Sequence, residues 1–220
     1  MRIYGGAGLG MRDVTWPAAG ERRSVETGAF PALELGASFL LAFGESVWFG
    51  PVLAYQTSLA HEVEETHLAG ESDTLRIRSH RFDAVLAASF QLGGGGFRLT
   101  PSLGIGVQNL RPEVHHLLTP SYTLAGPLVR IALRIPFGDS VALRLAPEAQ
   151  YLFTDDSLRE LGVEASGVSV GGEIAFEIAL AQSFSLELTA RDAYAWLPSN
   201  LGTDATDTGL FATTRLVWQP

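Results

Sequence analysis

Residues 167–197 read GVSVGGEIAFEIALAQSFSLELTARDAYAWL. In the first half, Val168, Val170, Ile174, Phe176, Ile178 and Leu180 share one parity, and Ser169, Gly171, Glu173, Ala175, Glu177 and Ala179 the other. The second half repeats the pattern: Phe184, Leu186, Leu188, Ala190, Tyr194 and Trp196 alternate with Ser185, Glu187, Thr189, Arg191 and Ala193. Strict period-two alternation predicts strands with one apolar and one polar face, and two such runs separated by a few residues predict a hairpin. Aromatic residues mark the ends of the apolar face, Phe184 near the turn and Tyr194 and Trp196 at the far end. An apolar band closed by aromatic girdles is the face that a membrane-spanning strand turns to lipid.

The rest of the chain follows the same rhythm. Strands are expected at 2–12, 27–43, 47–59, 75–92, 97–110, 122–137, 141–153 and 208–219, which with the hairpin makes about ten in meander order. Short turns fall near 44–46, 93–96, 138–140 and 181–183, and longer connections near 13–26, 61–74, 111–121, 155–166 and 198–207. Pro31, Pro51, Pro101, Pro127 and Pro147 lie inside these strands. Proline removes a ladder donor, so bulges or ladder breaks are expected there.

Composition agrees with apolar residues on alternate positions. Of 220 residues 46% are hydrophobic and only 18% charged, with a mean hydropathy of +0.17. No run approaches the ~20 consecutive apolar residues of a transmembrane helix. The chain has no cysteine, which excludes disulfides, thiolate metal sites and cysteine catalysis. The net charge of −9 argues against nucleic acid as a partner. All 15 basic residues are arginine. MRIYGGAGLG is strand-like and not a leader, so the expectation is either a processed protein or a domain of a longer precursor.

On these features the chain resembles the small outer-membrane β-barrel proteins of Gram-negative bacteria. The resemblance covers nearly all of residues 1–220 as one domain. It implies an antiparallel up-and-down transmembrane barrel of about ten strands, with short periplasmic turns and long extracellular loops. It also implies integral residence in the outer membrane, with lipids and lipopolysaccharide as neighbours. The end of the chain departs from the usual terminal aromatic, because Gln219 and Pro220 follow Trp218. The aromatic girdle is expected from Phe43, Phe49, Phe97, Phe137, Tyr151, Phe153, Phe184, Tyr194, Trp196 and Trp218. The inside-out alternative, a soluble barrel with its apolar face inward, fits less well. The polar face is crowded with Gly, Ala and Ser, lacks lysine, and the aromatics gather at the ends of the apolar face.

The inward parity carries Arg81, Arg98, Arg130, Arg134, Arg144, Arg191 and Arg215 together with Glu34, Asp83, Glu148, Glu173, Glu177 and Glu187. Two readings are open: a salt-bridged plug, or a narrow polar conduit. Barrels of about eight strands are filled by side chains, and open channels need about sixteen, so a wide pore is not expected. Glu173 and Glu177 are expected within reach of inward arginines on the adjacent strands, Arg144 and Arg191.

Some small outer-membrane barrels are surface proteases or lipid-modifying enzymes. The candidates for such chemistry are His61, His67, His80, His115 and His116 with Asp73, Asp155 and Asp156, since a histidine beside a carboxylate can act as a general base. HEVEETH (61–67) is not the H-E-x-x-H zinc motif, its histidines being six apart. Ser79-His80 is the nearest approach to a lipid-facing serine–histidine pair. The histidines read as solvated loop residues, no catalytic residue is assigned and no cofactor is expected. The loops carry Glu21, Glu26, Glu62, Glu64, Glu65, Glu71, Asp73, Glu113, Asp155, Asp156, Glu160, Glu164, Asp204 and Asp207, against Arg22, Arg23, Arg111 and Arg159. Such carboxylates could hold divalent cations, and a periplasmic or surface protein is a possible partner. The reading is an envelope anchor, interaction or adhesion protein. A narrow channel is the first alternative and a rim-located enzyme the second.

Overall fold

The computed structural model describes residues 1–18, 21–66, 72–112 and 120–220. The chain forms β1 Arg2–Ala18, β2 Glu21–Glu26, β3 Phe30–Ser38, β4 Leu41–Ala42, β5 Val47–Ser58, β6 His61–Thr66, β7 Ser72–Leu92, β8 Phe97–Pro112, β9 Tyr122–Phe137, β10 Val141–Thr154, helix α1 Asp156–Glu160, β11 Ser166–Ala181, β12 Phe184–Leu197 and β13 Ala205–Trp218. All pairings are antiparallel, and β13 returns to β1, from Ile3↔Trp218 to Thr15↔Thr206. The sheet is therefore a closed ten-stranded meander barrel with β4 continuing β3, and with β2 and β6 as additional strands. The turns at residues 44–46, 93–96 and 138–140 are built on Gly44, Gly93, Gly96 and Gly138, each at positive φ, where only glycine is free of strain.

Two segments expected as loops are strands. Residues 13–18 and 21–26 form the upper part of β1 and all of β2, and residues 61–66 and 72–74 form β6 and the start of β7. Beyond the ends of β3 and β5 the wall continues as β1–β2–β6–β7. The junctions are two bulges. Met11 and Arg12 of β1, lying between the pairs Gly10↔Phe30 and Asp13↔Glu26, face three residues, 27–29. Arg78 and Ser79 of β7, between His80↔Thr57 and Ile77↔His61, face residues 58–60. Each bulge is closed the same way. The Arg12 backbone N–H donates to Thr27 Oγ1 (2.6 Å), and the Ser79 backbone N–H donates to Ser58 Oγ (2.8 Å). The side-chain hydroxyl takes the donor that the extra residue leaves without a ladder partner.

The prolines do not shift the register. Pairing lapses beside Pro147, between Leu145↔Leu133 and Glu148↔Arg130, and again beside Pro127, between Gln150↔Leu128 and Phe153↔Ala125. It also lapses between Ala87↔Ser102 and Phe90↔Leu99, beside Pro101. The β3 side of the wall breaks at residues 39–40, opposite Pro51, whose carbonyl accepts from Phe39 N–H (3.0 Å). Pro31 keeps its place opposite Leu9.

The outer face is apolar and exposed: Leu9, Leu35, Leu86, Leu103, Ile105, Val170, Ile174, Phe176, Leu188, Leu210 and Leu216 all point out of the barrel. From Phe184 to Tyr194 on β12 the outward face, apolar except for Asp192, spans ten residue steps, about 33 Å along the strand. At a tilt near 40° this is about 25 Å of height, the thickness of a bilayer-facing band. The predicted girdle residues Phe43, Phe49, Phe97, Phe137, Tyr151, Phe153, Phe184, Tyr194 and Trp196 are exposed on this face, and Trp218 is half-buried. Both termini lie at the short-turn end.

Candidate functional site: the barrel interior

Strand alternation sends every second side chain inward, and ten strands leave little width for them. Some inward positions are glycine because the backbone of the adjacent paired strand lies too close for a side chain. A Cβ on Gly8 would lie 1.9 Å from the Ala212 carbonyl oxygen. The space gained is occupied by charges arranged in layers.

Nearest the short turns, Arg134 Nε donates to Glu177 (3.0 Å), and the Arg98 guanidinium stacks 4.9 Å from the Trp48 ring centroid. The next layer centres on Arg215, only 3% exposed. It donates to both oxygens of Glu34 (2.8 and 2.6 Å) and to Glu173 (2.5 Å). Arg144 joins Glu173 (2.7 Å) to Glu187 (3.2 Å), and Arg2 completes Glu187. Tyr4 lies under the Arg215 guanidinium at 5.0 Å. A third layer holds Asp83 and Glu148 among Arg81, Arg130 and Arg191. Its contacts cross the lumen: Arg191 of β12 reaches Asp83 of β7 (3.0 Å) and Glu148 of β10 (2.8 Å). Bidentate, buried guanidinium–carboxylate geometry, as between Arg215 and Glu34, offsets the large cost of taking charges from water.

Toward the long-loop end the chemistry changes. Arg12 pairs with Asp207, whose other donor is Tyr122 Oη (2.8 Å). Above them Val14, Trp16, Val25, Ile77, Leu110, Leu124, Leu152 and Leu197 form one buried apolar cluster inside the barrel. Helix α1 adds Leu158 to it. The helix is set by Asp155, which accepts from the Leu158 backbone N–H (3.3 Å) and from the Thr123 backbone N–H (2.6 Å), as an N-cap residue does. Between the apolar cluster and the third charge layer lies a polar chamber of about 40 Å³.

The interior thus brings together all the predicted inward charges except Arg98, which meets an aromatic ring. One expected partnership differs. Glu173 does pair with Arg144, but Arg191, its cross-strand neighbour, turns to Asp83 and Glu148, and Glu177 takes Arg134. A guanidinium reaches across several strands, so register neighbours are not obligatory partners. Arg2, Arg12 and Tyr122 were not anticipated as members, and Asp207, expected on a loop, is buried inside. The inward apolar cluster was not anticipated either.

The enzyme candidates are dispersed. Ser79 and His80 point to opposite faces, as successive strand residues must: Ser79 is buried inside, bonded to Ser58, while His80 faces outward, its Nδ1 bonded to Tyr55 Oη (2.7 Å) and Thr57 Oγ1 (3.0 Å). The serine–histidine pair is therefore not formed. Asp155 is committed to its helix and Asp156 pairs with Arg159. Among the described residues no group of three or more His, Asp or Glu is placed to hold a metal ion. Of the exposed loop carboxylates, Glu62 pairs with Arg76 (3.4 Å) and Asp204 accepts from Trp196 Nε1 (2.8 Å). His67, Glu71, Glu113, His115 and His116 lie outside the described residues, as do the side chains of Glu21, Arg22, His61, Glu64, Glu65 and Asp73.

No protein-family model matches the chain, and no curated protein matches it. Among solved structures it is similar to the outer membrane protease OmpT from Escherichia coli, with a TM-score of 0.60 and 8% identity over 99% of this chain and 95% of that one. It is similar also to the translocator domain of the autotransporter NalP from Neisseria meningitidis, with a TM-score of 0.50 and 9% identity over 100% of this chain and 89% of that one. At such identities the likeness is one of fold. The fold is that of the bacterial outer-membrane β-barrels, and its apolar outer band makes it an integral membrane protein.

Proposed function

We propose that this outer-membrane barrel does not conduct solutes and works through the surface it presents beyond the bilayer, as an anchor, adhesion or interaction protein of the cell envelope. One observation carries the reading: side chains occupy the lumen at successive levels. Arg191 crosses from β12 to β7 on the opposite wall and also holds β10, Arg215 ties β13 to β3 and β11, each two strands away, and the apolar cluster occupies the upper level. Ten strands give a lumen close to the width that side chains alone fill. The surface left for function is the part beyond the band: the β1–β2–β6–β7 wall and α1, with exposed carboxylates at Glu62, Asp156 and Glu160.

The likeness to a protease is one of fold, and the hydrogen-bond partners of His80 are hydroxyls. Recording from the refolded protein in planar bilayers tests the proposal. The expected result is a silent membrane at protein levels that give frequent insertions of a known porin. Discrete conductance steps, reduced by Ser102→Trp inside the lumen, would replace this reading with that of a narrow channel.

A further inference from the structure

We propose that the polar chamber above the third charge layer is a binding site for one small monovalent anion of the chloride class. The first support is a charge count among the described residues. The Arg215 layer is balanced, with Arg2, Arg144 and Arg215 against Glu34, Glu173 and Glu187. Arg12 and Asp207 balance each other. The layer between them does not: Arg81, Arg130 and Arg191 share only Asp83 and Glu148. One positive charge is left over in a buried layer, where an uncompensated ion is costly.

The second support is where that excess lies. Arg81 and Arg191 line the chamber, as does Arg12. Arg191 is 7% exposed, and its Nε is buried with no acceptor among the described residues. The remaining wall holds groups able to donate to an anion, among them Ser169 and the amide of Gln108, and two aspartates: Asp207, paired with Arg12, and Asp192, on the outward parity of β12. A water molecule in the chamber would satisfy Arg191 Nε but leave the charge excess untouched; a halide answers both. The size also fits. About 40 Å³ is room for roughly three water-sized bodies, enough for a halide and little more.

The inference does not depend on whether the barrel conducts, because an occluded ion and a permeating one would use the same contacts; bilayer recording tests conduction separately. The test is to refold the full chain into detergent with bromide as the only small anion, and crystallise it. Bromide anomalous scattering is then measured, together with thermal unfolding in bromide and in sulfate at matched ionic strength. The expected result is one anomalous peak inside the barrel touching Arg191 and Arg81, with a higher unfolding midpoint in bromide than in sulfate. Ser169→Leu, which fills the chamber without touching an ion pair, is expected to abolish both signals; Gln108→Leu serves if that variant does not fold. A chamber without an anomalous peak at saturating bromide would overturn the proposal. So would a bromide preference that persists unchanged in the filled variant.

Discussion

Replacing Arg215 by Met removes one guanidinium from a layer in which three arginines face three carboxylates, while roughly keeping side-chain length. Glu34, 3% exposed, would retain only the Thr213 hydroxyl at 3.1 Å, and Glu173 and Glu187 would have to share Arg144 and Arg2. Removing one member of a buried ion pair costs about 3–5 kcal/mol, most of it from the charge left behind. For a chain of this length each kcal/mol moves the unfolding midpoint by roughly 2–4 °C, so a fall of roughly 6–20 °C is expected. Thermal unfolding of the detergent-solubilised barrel, followed by circular dichroism, measures it. Adding Glu34→Gln to Arg215→Met removes the stranded charge and should return much of the loss, a coupling that a double-mutant cycle reads directly. A midpoint for Arg215→Met unchanged within experimental error would refute the reasoning. It would mean that these carboxylates sit in water and that the lumen is open.

Leu152→Ala, which empties a fully buried position in the inward apolar cluster, is expected to cost about 2–5 kcal/mol in urea titrations, whereas lipid-facing Leu35→Ala leaves no internal cavity and should cost less. Gly8→Val sets a side chain against the Ala212 carbonyl and is expected to lower the refolded yield sharply on heat-modifiability gels. Brominated lipids should quench Trp196 on the outer face but spare Trp16, which is 1% exposed inside the barrel; single-tryptophan variants separate the two.

The lipid-facing half of this fold was legible because a bilayer imposes one rule on every strand it meets. Ile174, Phe176, Leu188 and Leu210 could be placed outside from parity alone. Above the bilayer that rule lapses. Residues 21–26 carry polar groups on both faces, so their alternation is weak, and only pairing shows that 13–18, 21–26, 61–66 and 72–74 continue the wall. In Tyr151-Leu152-Phe153 three apolar residues run together, and parity could not show that Leu152 joins an apolar cluster inside the barrel. The charged residues were legible as a set but not as pairs. Parity gives the face, while partner choice depends on reach across the lumen, as Arg191 shows by passing over Glu173 for Asp83 and Glu148.

The two bulges have a consequence for how the length of this chain can change. Each moves the ladder by one residue, and they do so at the same level on facing strands. As a result β2 meets β6 in the register by which β3 meets β5: Glu26↔Glu64 follows on from Ala32↔Ser58. Deleting Gly28 alone would leave two residues facing Met11 and Arg12 and remove the bulge against β1, with Val25 still opposite Val14, but would put a one-residue mismatch between β3–β2 and β5–β6. Deleting Gly28 and Leu59 together would remove both bulges and keep β2 and β6 in register with each other and with β1 and β7. Insertions and deletions at these two sites, about thirty residues apart in sequence, should therefore be tolerated in company and not singly. Two connections that look independent along the chain behave as one adjustable joint between the membrane-embedded cylinder and the wall above it.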